Sequence, residues 1–194
     1  MTELIPQQLK NCNLVANRYH LLEYFPKNAV GVEVGVLGGD WSKCLIESTQ
    51  PKELVLIDTF YSNDYAHVNR FTKKTHEEYI RNEFKPYNEK VKILKGLSWE
   101  CLSEFSENYF DWIYIDAAHD YKSVKKDLAQ AKRTLKKNGI IIMNDYIMYD
   151  HFTNEKYGVV QATNEFMHEH NFEFLFFALH PNMFCDVIMK EIEC

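Results

Sequence analysis

The sequence predicts an α/β fold: a doubly wound, mostly parallel Rossmann-like sheet in a single domain, closed by a C-terminal antiparallel hairpin. Three observations predict it. Short apolar runs alternate with helical patterns, as βαβ crossovers require. The first run ends in a glycine-rich turn. The last two runs follow each other with no helix between them.

The strand-like runs are Ala29–Val34, Leu54–Ile57, Val91–Leu94, Asp111–Ile115 and Ile140–Met143. They are short, apolar and rich in β-branched residues, as strands covered on both faces must be. Four helices are read between them. Trp41–Ser48 follows the glycine turn, with Asp40 as its expected N-cap. His76–Phe84 stops before Pro86. Trp99–Phe105 has Ser98 as its expected cap. In Ser123–Leu135, Val124, Leu128, Ala131 and Leu135 share one face, the lysines take the other, and Gly139 is the expected stop. Val159–His170 reads as a further helix, and Phe172–Leu179 and Phe184–Ile192 as the edge hairpin. Residues 1–28 read as an N-terminal helical extension to a core of about 29–190. The least regular stretch, Thr59–Thr75, is expected to be a lid.

A chain of 194 residues suits one domain. Its 22 basic against 28 acidic side chains leave a formal charge of −6, which argues against a broad nucleic-acid footprint. The five cysteines are scattered, odd in number and without a Cys-x-x-Cys, which fits reduced thiols in a cytoplasm. No signal peptide and no transmembrane stretch is visible, so a membrane partner is not expected.

The candidate site residues all fall at the carboxyl ends of strands, where ligands bind in such sheets. Glu33-Val34-Gly35-Val36-Leu37-Gly38-Gly39 lacks the Gly-x-Gly-x-x-Gly of dinucleotide sites. It places an acid two residues before the first glycine, which suits an ammonium better than a pyrophosphate. Asp58 can accept both hydroxyls of a ribose, but this does not separate one adenosine cofactor from another. Ser98 and Trp99 sit where an adenine would lie, and equally well could be a cap and a core residue. Asp116-Ala117-Ala118-His119 joins a carboxylate to a histidine whose ordinary pKa of about 6.5 suits it to take a hydroxyl proton. Asp116, Asn144 and Asp145 together form an oxygen-rich set of the kind Mg²⁺ takes, while Asp145 could instead position the next loop.

Taken as a set, these motifs resemble the class I S-adenosylmethionine-dependent methyltransferases. Ile115-Asp116-Ala117-Ala118-His119-Asp120-Tyr121 with Asn144-Asp145-Tyr146 resembles, more narrowly, the small-molecule O-methyltransferases of the macrocin and mycinamicin sugar type, and catechol O-methyltransferase more distantly. The resemblance implies that Glu33, Gly35 and Gly39 contact the methionine part of S-adenosylmethionine, Asp58 its ribose, and Ser98 and Trp99 its adenine. It implies Mg²⁺ on Asp116, Asp145 and Asn144, with Asn144 standing where the sugar enzymes often carry an acid. It implies His119 as catalytic base, with Asp116 beside it. The expected reaction is Mg²⁺-assisted methylation of a sugar-like or phenolic hydroxyl. A metal-independent small-molecule enzyme and a non-catalytic donor-binding module are the alternatives. The expected partner is a small-molecule acceptor, and the edge hairpin offers a surface for a homodimer. A nicotinamide oxidoreductase is disfavoured by the glycine spacing. A nucleic-acid amino-methylating enzyme is disfavoured by Asp116-Ala117-Ala118-His119 where Asn/Asp-Pro-Pro-Tyr would stand.

Overall fold

The structure is a computed structural model that describes residues 2–61 and 75–192. Strands β1 (Asn13–Val15), β2 (Val30–Val34), β3 (Glu53–Asp58), β4 (Val91–Lys95), β5 (Phe110–Ile115), β6 (Leu135–Met143), β9 (Phe172–Ala178) and β10 (Asp186–Glu191) form one sheet. Its order is β1-β9-β10-β6-β5-β2-β3-β4. Strand β10 is antiparallel to both β6 and β9, and every other pairing is parallel. The fold is therefore the expected Rossmann-like sheet with its antiparallel C-terminal hairpin. Strands β7 (Tyr149–Asp150) and β8 (Glu155–Lys156) form a separate two-stranded hairpin.

Helices cover both faces, because the central strands are apolar on both. Helices α2 (Arg18–Leu21), α3 (Asp40–Thr49) and α4 (His76–Glu83) place Leu21, Trp41, Leu45 and Ile80 against Leu54, Leu56 and Trp112. On the other face, α5 (Ser98–Ser103), α6 (Tyr121–Thr134) and α7 (Val159–His170) bring Leu102, Val124, Leu128 and Phe166 onto Val32, Ile113 and Ile141. Burying each such side chain contributes about 1.5–3 kcal/mol. The predicted helical face of α6 is thus its core face. The short helix α1 (Pro6–Leu9) packs near β9.

Several local expectations are corrected. The N-cap of α3 is Gly39, at φ 75°, and Asp40 is the first helical residue. Leu97, not Ser98, stands at the N-cap of α5. Asp120 caps α6 by accepting from Lys122 N and Ser123 N, at 3.0 and 3.2 Å. That helix ends at Thr134, and Gly139 lies inside β6 rather than stopping a helix. A Cβ on Gly139 would lie 2.9 Å from the Asp111 carbonyl oxygen, so close strand packing explains this glycine. The N-terminal extension holds two short helices but also β1, which pairs in parallel with β9 and displaces the hairpin from the sheet edge. Its strand is only three residues long, too short for a periodic signal.

Cys12, Cys44, Cys101 and Cys185 are free. Among the described residues no helix is long and apolar enough to cross a membrane. The expected lid at Thr59–Thr75 lies, apart from its ends, outside the described residues.

Candidate active site

The carboxyl ends of β2, β3, β4 and β5 surround a cavity of about 810 Å³. That volume suits a drug-sized ligand. Glu33, Gly35, Asp58, Ser98, Trp99, Asp116 and His119 all line it, which brings together most of the sequence-predicted site.

Gly39 is turned away. A Cβ there would meet the Phe84 ring at 2.6 Å, so this glycine serves the packing of α3 on α4. Glu33 is buried and accepts a short hydrogen bond from the Ser42 hydroxyl. Burial pushes its pKa well above the usual carboxylate range, and the Ser42 bond offsets only part of this. Asp58 ties down the glycine loop. Its Oδ2 accepts from Val36 N and Leu37 N at 2.8 and 3.0 Å, and its Oδ1 accepts from Phe60 N at 2.7 Å. Oδ1, with a single donor, keeps an acceptor site that a ribose hydroxyl could use. Trp99 carries Lys126 on one face of its ring, 4.1 Å from the centroid.

Behind Ser98 lies Asp127, fully buried on α6 with both carboxylate oxygens lacking a hydrogen-bond partner. Burial raises its pKa to about 6, an effect that nearby Ser98 only moderates. The folded chain then holds a proton that the unfolded chain releases. Stability from this group is complete below pH about 4 and is lost as pH rises through about 6. Asp127→Asn should therefore be more stable than the parent at pH 8, by up to roughly 3 kcal/mol, with the gap closing near pH 4. Urea denaturation at the two pH values measures this. A gap that does not change with pH would rule out the explanation.

His119 stands between two carboxylates. Its Nε2 lies 3.5 Å from Asp116 Oδ1 and 3.7 Å from Asp145 Oδ2. Its ring stacks on Tyr157, with centroids 4.4 Å apart and planes 1° apart. Burial works against the imidazolium, but Asp116, Asp145 and Asn144 outweigh it and raise the pKa above the ordinary histidine value. Burial, reinforced by repulsion from Asp116, raises Asp145 to about 6. Tyr157 is held by the hairpin of β7 and β8: its N–H donates to Met148 O at 3.0 Å and its hydroxyl to Asp150 Oδ2 at 3.2 Å. Gly158 N donates to His119 O at 2.7 Å, and a Cβ on Gly158 would lie 2.3 Å from Tyr121 N. The close pass of these two segments fixes the stack.

The three residues expected to hold Mg²⁺, Asp116, Asp145 and Asn144, converge on the His119 ring. Asn144 turns its amide nitrogen to Asp186 Oδ1 at 3.1 Å and to the Tyr114 hydroxyl at 3.4 Å. The space between Asp116 and Asp145 is taken by the His119 nitrogen, a poor partner for a hard cation. Among the described residues no group of three or more His, Cys, Asp or Glu side chains is arranged to hold a metal ion.

Sequence reading missed four residues here. Tyr114 donates to Asp186 Oδ2 at 2.8 Å, forming a buried pair beneath the site. Burial raises Asp186 to about 7. Tyr157 and Arg18 both line the cavity from distant parts of the chain. No local motif marks any of them.

A family model described as a methyltransferase domain matches residues 32–146. The chain belongs to this family. Solved structures agree in fold. The methyltransferase superposes on SAH-bound PaMTH1 of Podospora anserina with a TM-score of 0.61 at 20% identity, over 90% of this chain and 76% of that one. It superposes on cofactor-bound Rv0187 from MTB with a TM-score of 0.63 at 16% identity, over 91% and 78%. A Galdieria sulphuraria structure assigned as a sarcosine dimethylglycine methyltransferase matches with a TM-score of 0.56 at 14% identity, over 81% of this chain. This chain spans 58% of that longer one. No curated protein sequence matches. The protein is thus an S-adenosylmethionine-dependent methyltransferase of the class I fold. The cavity fits that donor, because its acidic lining suits a ligand bearing a sulfonium and an ammonium.

Proposed function

We propose that this methyltransferase methylates a hydroxyl of a small sugar-like or phenolic acceptor, with His119 taking the hydroxyl proton. The observation that carries the reading is the imidazole clamped between Asp116 and Asp145 at the wall of the cavity. A base in that setting is oriented by its carboxylates and steadied by the Tyr157 stack. S-adenosylmethionine supplies a methyl group already activated on sulfur. The protein's own task is then to align the acceptor and remove its proton.

In this reading Glu33 and Gly35 lie beside the donor's amino-acid part, Asp58 binds its ribose, and Ser98 and Trp99 flank its adenine. Asp116 and Asp145 orient His119 and favour its charged form after proton transfer. A smaller hollow of about 390 Å³, bordered by His119, Asp120, Glu155, Lys156 and Tyr157, gives the acceptor an approach from the hairpin side. The Mg²⁺ implied by resemblance is given no step, because His119 occupies the place between the carboxylates. The metal-independent form of the reaction is therefore preferred. A homodimer formed at the sheet edge would pair through β1 rather than through the hairpin.

The test is the release of S-adenosylhomocysteine with a panel of sugars, phenols and alcohols, in EDTA and in Mg²⁺. Turnover of at least one hydroxyl compound at the same rate in both is the expected result. A rate abolished by EDTA and restored by Mg²⁺ would defeat the metal-free form. Tight donor binding with no turnover of any compound would favour a binding module instead.

A further inference from the structure

The cavity is lined by four acids, Glu33, Asp40, Asp58 and Asp116, and among its described lining residues Arg18 is the only Lys or Arg. Arg18 lies outside the matched segment 32–146, in the N-terminal stretch to which no role has been given. Its guanidinium sits over the Trp41 ring, 4.5 Å from the centroid. Among the described residues no carboxylate oxygen lies within ion-pair distance of it. Burial works against its charge, and Tyr114, which hydrogen-bonds it, together with the more distant Asp186 and Asp116, outweighs that effect. It is a preserved cation, partly withdrawn from water, without a direct counter-ion.

The fold builds this position deliberately. Strand β1 fastens to β9, with Leu14 opposite Phe177, and Leu179 N donates to Val15 O at 3.0 Å. Asn17 then caps α2 by accepting from Tyr19 N at 3.0 Å. Just beyond, Tyr24 stacks on Phe176 at 3.7 Å and Phe25 meets Trp112 edge-on at 5.2 Å. The chain is pinned on both sides of Arg18, which is thereby held over the carboxyl ends of the strands.

The donor carries one anionic group, its α-carboxylate. Glycine loops commonly bind anions through free backbone N–H groups. Here most of those groups are already used. Gly35 N donates to Ile57 O at 2.8 Å, Gly39 N to Val36 O at 2.9 Å, and Val36 N and Leu37 N to Asp58. The acids repel a carboxylate, and a guanidinium presents a fork that matches it.

We propose that Arg18 binds the α-carboxylate of the methyl donor, which makes the N-terminal strand and helix a working part of the donor site. This rests on the donor reading given above. The test compares S-adenosylhomocysteine with 5′-methylthioadenosine, which shares the adenosine and sulfur but lacks the amino-acid part. Calorimetric titration uses the parent, Arg18→Gln, Arg18→Met and Asp58→Asn. Arg18→Met keeps apolar packing on Trp41. Both Arg18 variants should bind S-adenosylhomocysteine roughly 10- to 100-fold more weakly. They should bind methylthioadenosine within about twofold of the parent, which also shows that they are folded. Equal weakening of both ligands, or unchanged S-adenosylhomocysteine binding, overturns the proposal. Asp58→Asn should weaken both ligands together. Failure of the parent to bind S-adenosylhomocysteine would instead overturn the donor reading, and this proposal with it.

Discussion

Replacing His119 by Ala should lower the methyl-transfer rate roughly 100- to 10,000-fold, the usual contribution of a positioned base. Binding of S-adenosylhomocysteine should change little, since the donor's polar groups are assigned to other residues. The pH profile provides the sharper test. The base must be neutral to accept a proton. Burial opposes the imidazolium, but Asp116, Asp145 and Asn144 hold it protonated above the ordinary histidine range. The rate should therefore rise with pH through a value higher than about 6.5. Asp145→Asn removes one of the two flanking carboxylates, 3.7 Å from Nε2. The rising limb should then move to lower pH, because a weaker negative field holds the proton less firmly. His119→Ala should remove that limb. A His119→Ala enzyme with near-parental rate, or a limb that stays in place in Asp145→Asn, would remove His119 from the chemistry.

The central sheet was legible because each of its five parallel strands is an apolar run bounded by turn-forming residues. Val91–Lys95 and Phe110–Ile115 each extend the predicted run by one residue. Helix termini were less legible. Asp40 and Ser98 are good capping residues by type, yet each is the first helical residue, because the preceding Gly39 and Leu97 supply the non-helical backbone. Lys137-Asn138-Gly139 has turn chemistry by composition, but β6 runs straight through it, with Asn138 at φ 67° and a register shift opposite it on β5. Parallel pairing with β5 outweighs the local preference. The site divides in the same way. Glu33, Asp58 and Asp116 end strands in fixed register, so sequence could place them. Arg18, Tyr157 and Asp186 reach the site only through non-local pairing: β1 on β9, the hairpin of β7 and β8, and β10 beside β6. No spacing rule in the chain encodes those encounters. The Asp186 carboxylate that accepts from the Asn144 amide is likewise invisible to local sequence.

Gly35→Ala should be a severely damaging single-methyl change. The glycine's role differs from what a glycine-rich turn suggests. Such loops are expected to use glycine so that a ligand can approach the backbone. Here the close neighbour is the chain itself. A Cβ on Gly35 would lie 1.9 Å from the carbonyl oxygen of Asp116 and 2.4 Å from its carbonyl carbon. Both are backbone atoms and cannot rotate away. The position also sits at φ 92°, where any residue with a Cβ is strained by about 1–2 kcal/mol before the clash is counted. Relief requires β2 and β5 to part at the end where Asp116 N donates to Val34 O at 2.7 Å. The expected loss is roughly 3–5 kcal/mol, a large share of the stability of a single domain. It should appear as a lowered urea midpoint together with weakened S-adenosylhomocysteine binding, because Asp116 and Glu33 shift with the strands. Gly96→Ala is the control. Gly96 also lines the cavity, but a Cβ there meets only the Cys101 sulfur, at 2.8 Å, and a side chain can yield where a carbonyl cannot. Gly96→Ala should lose no more than about 1 kcal/mol. Equal losses from the two substitutions would mean that the approach of Asp116 to Gly35 is not what holds these strand ends together.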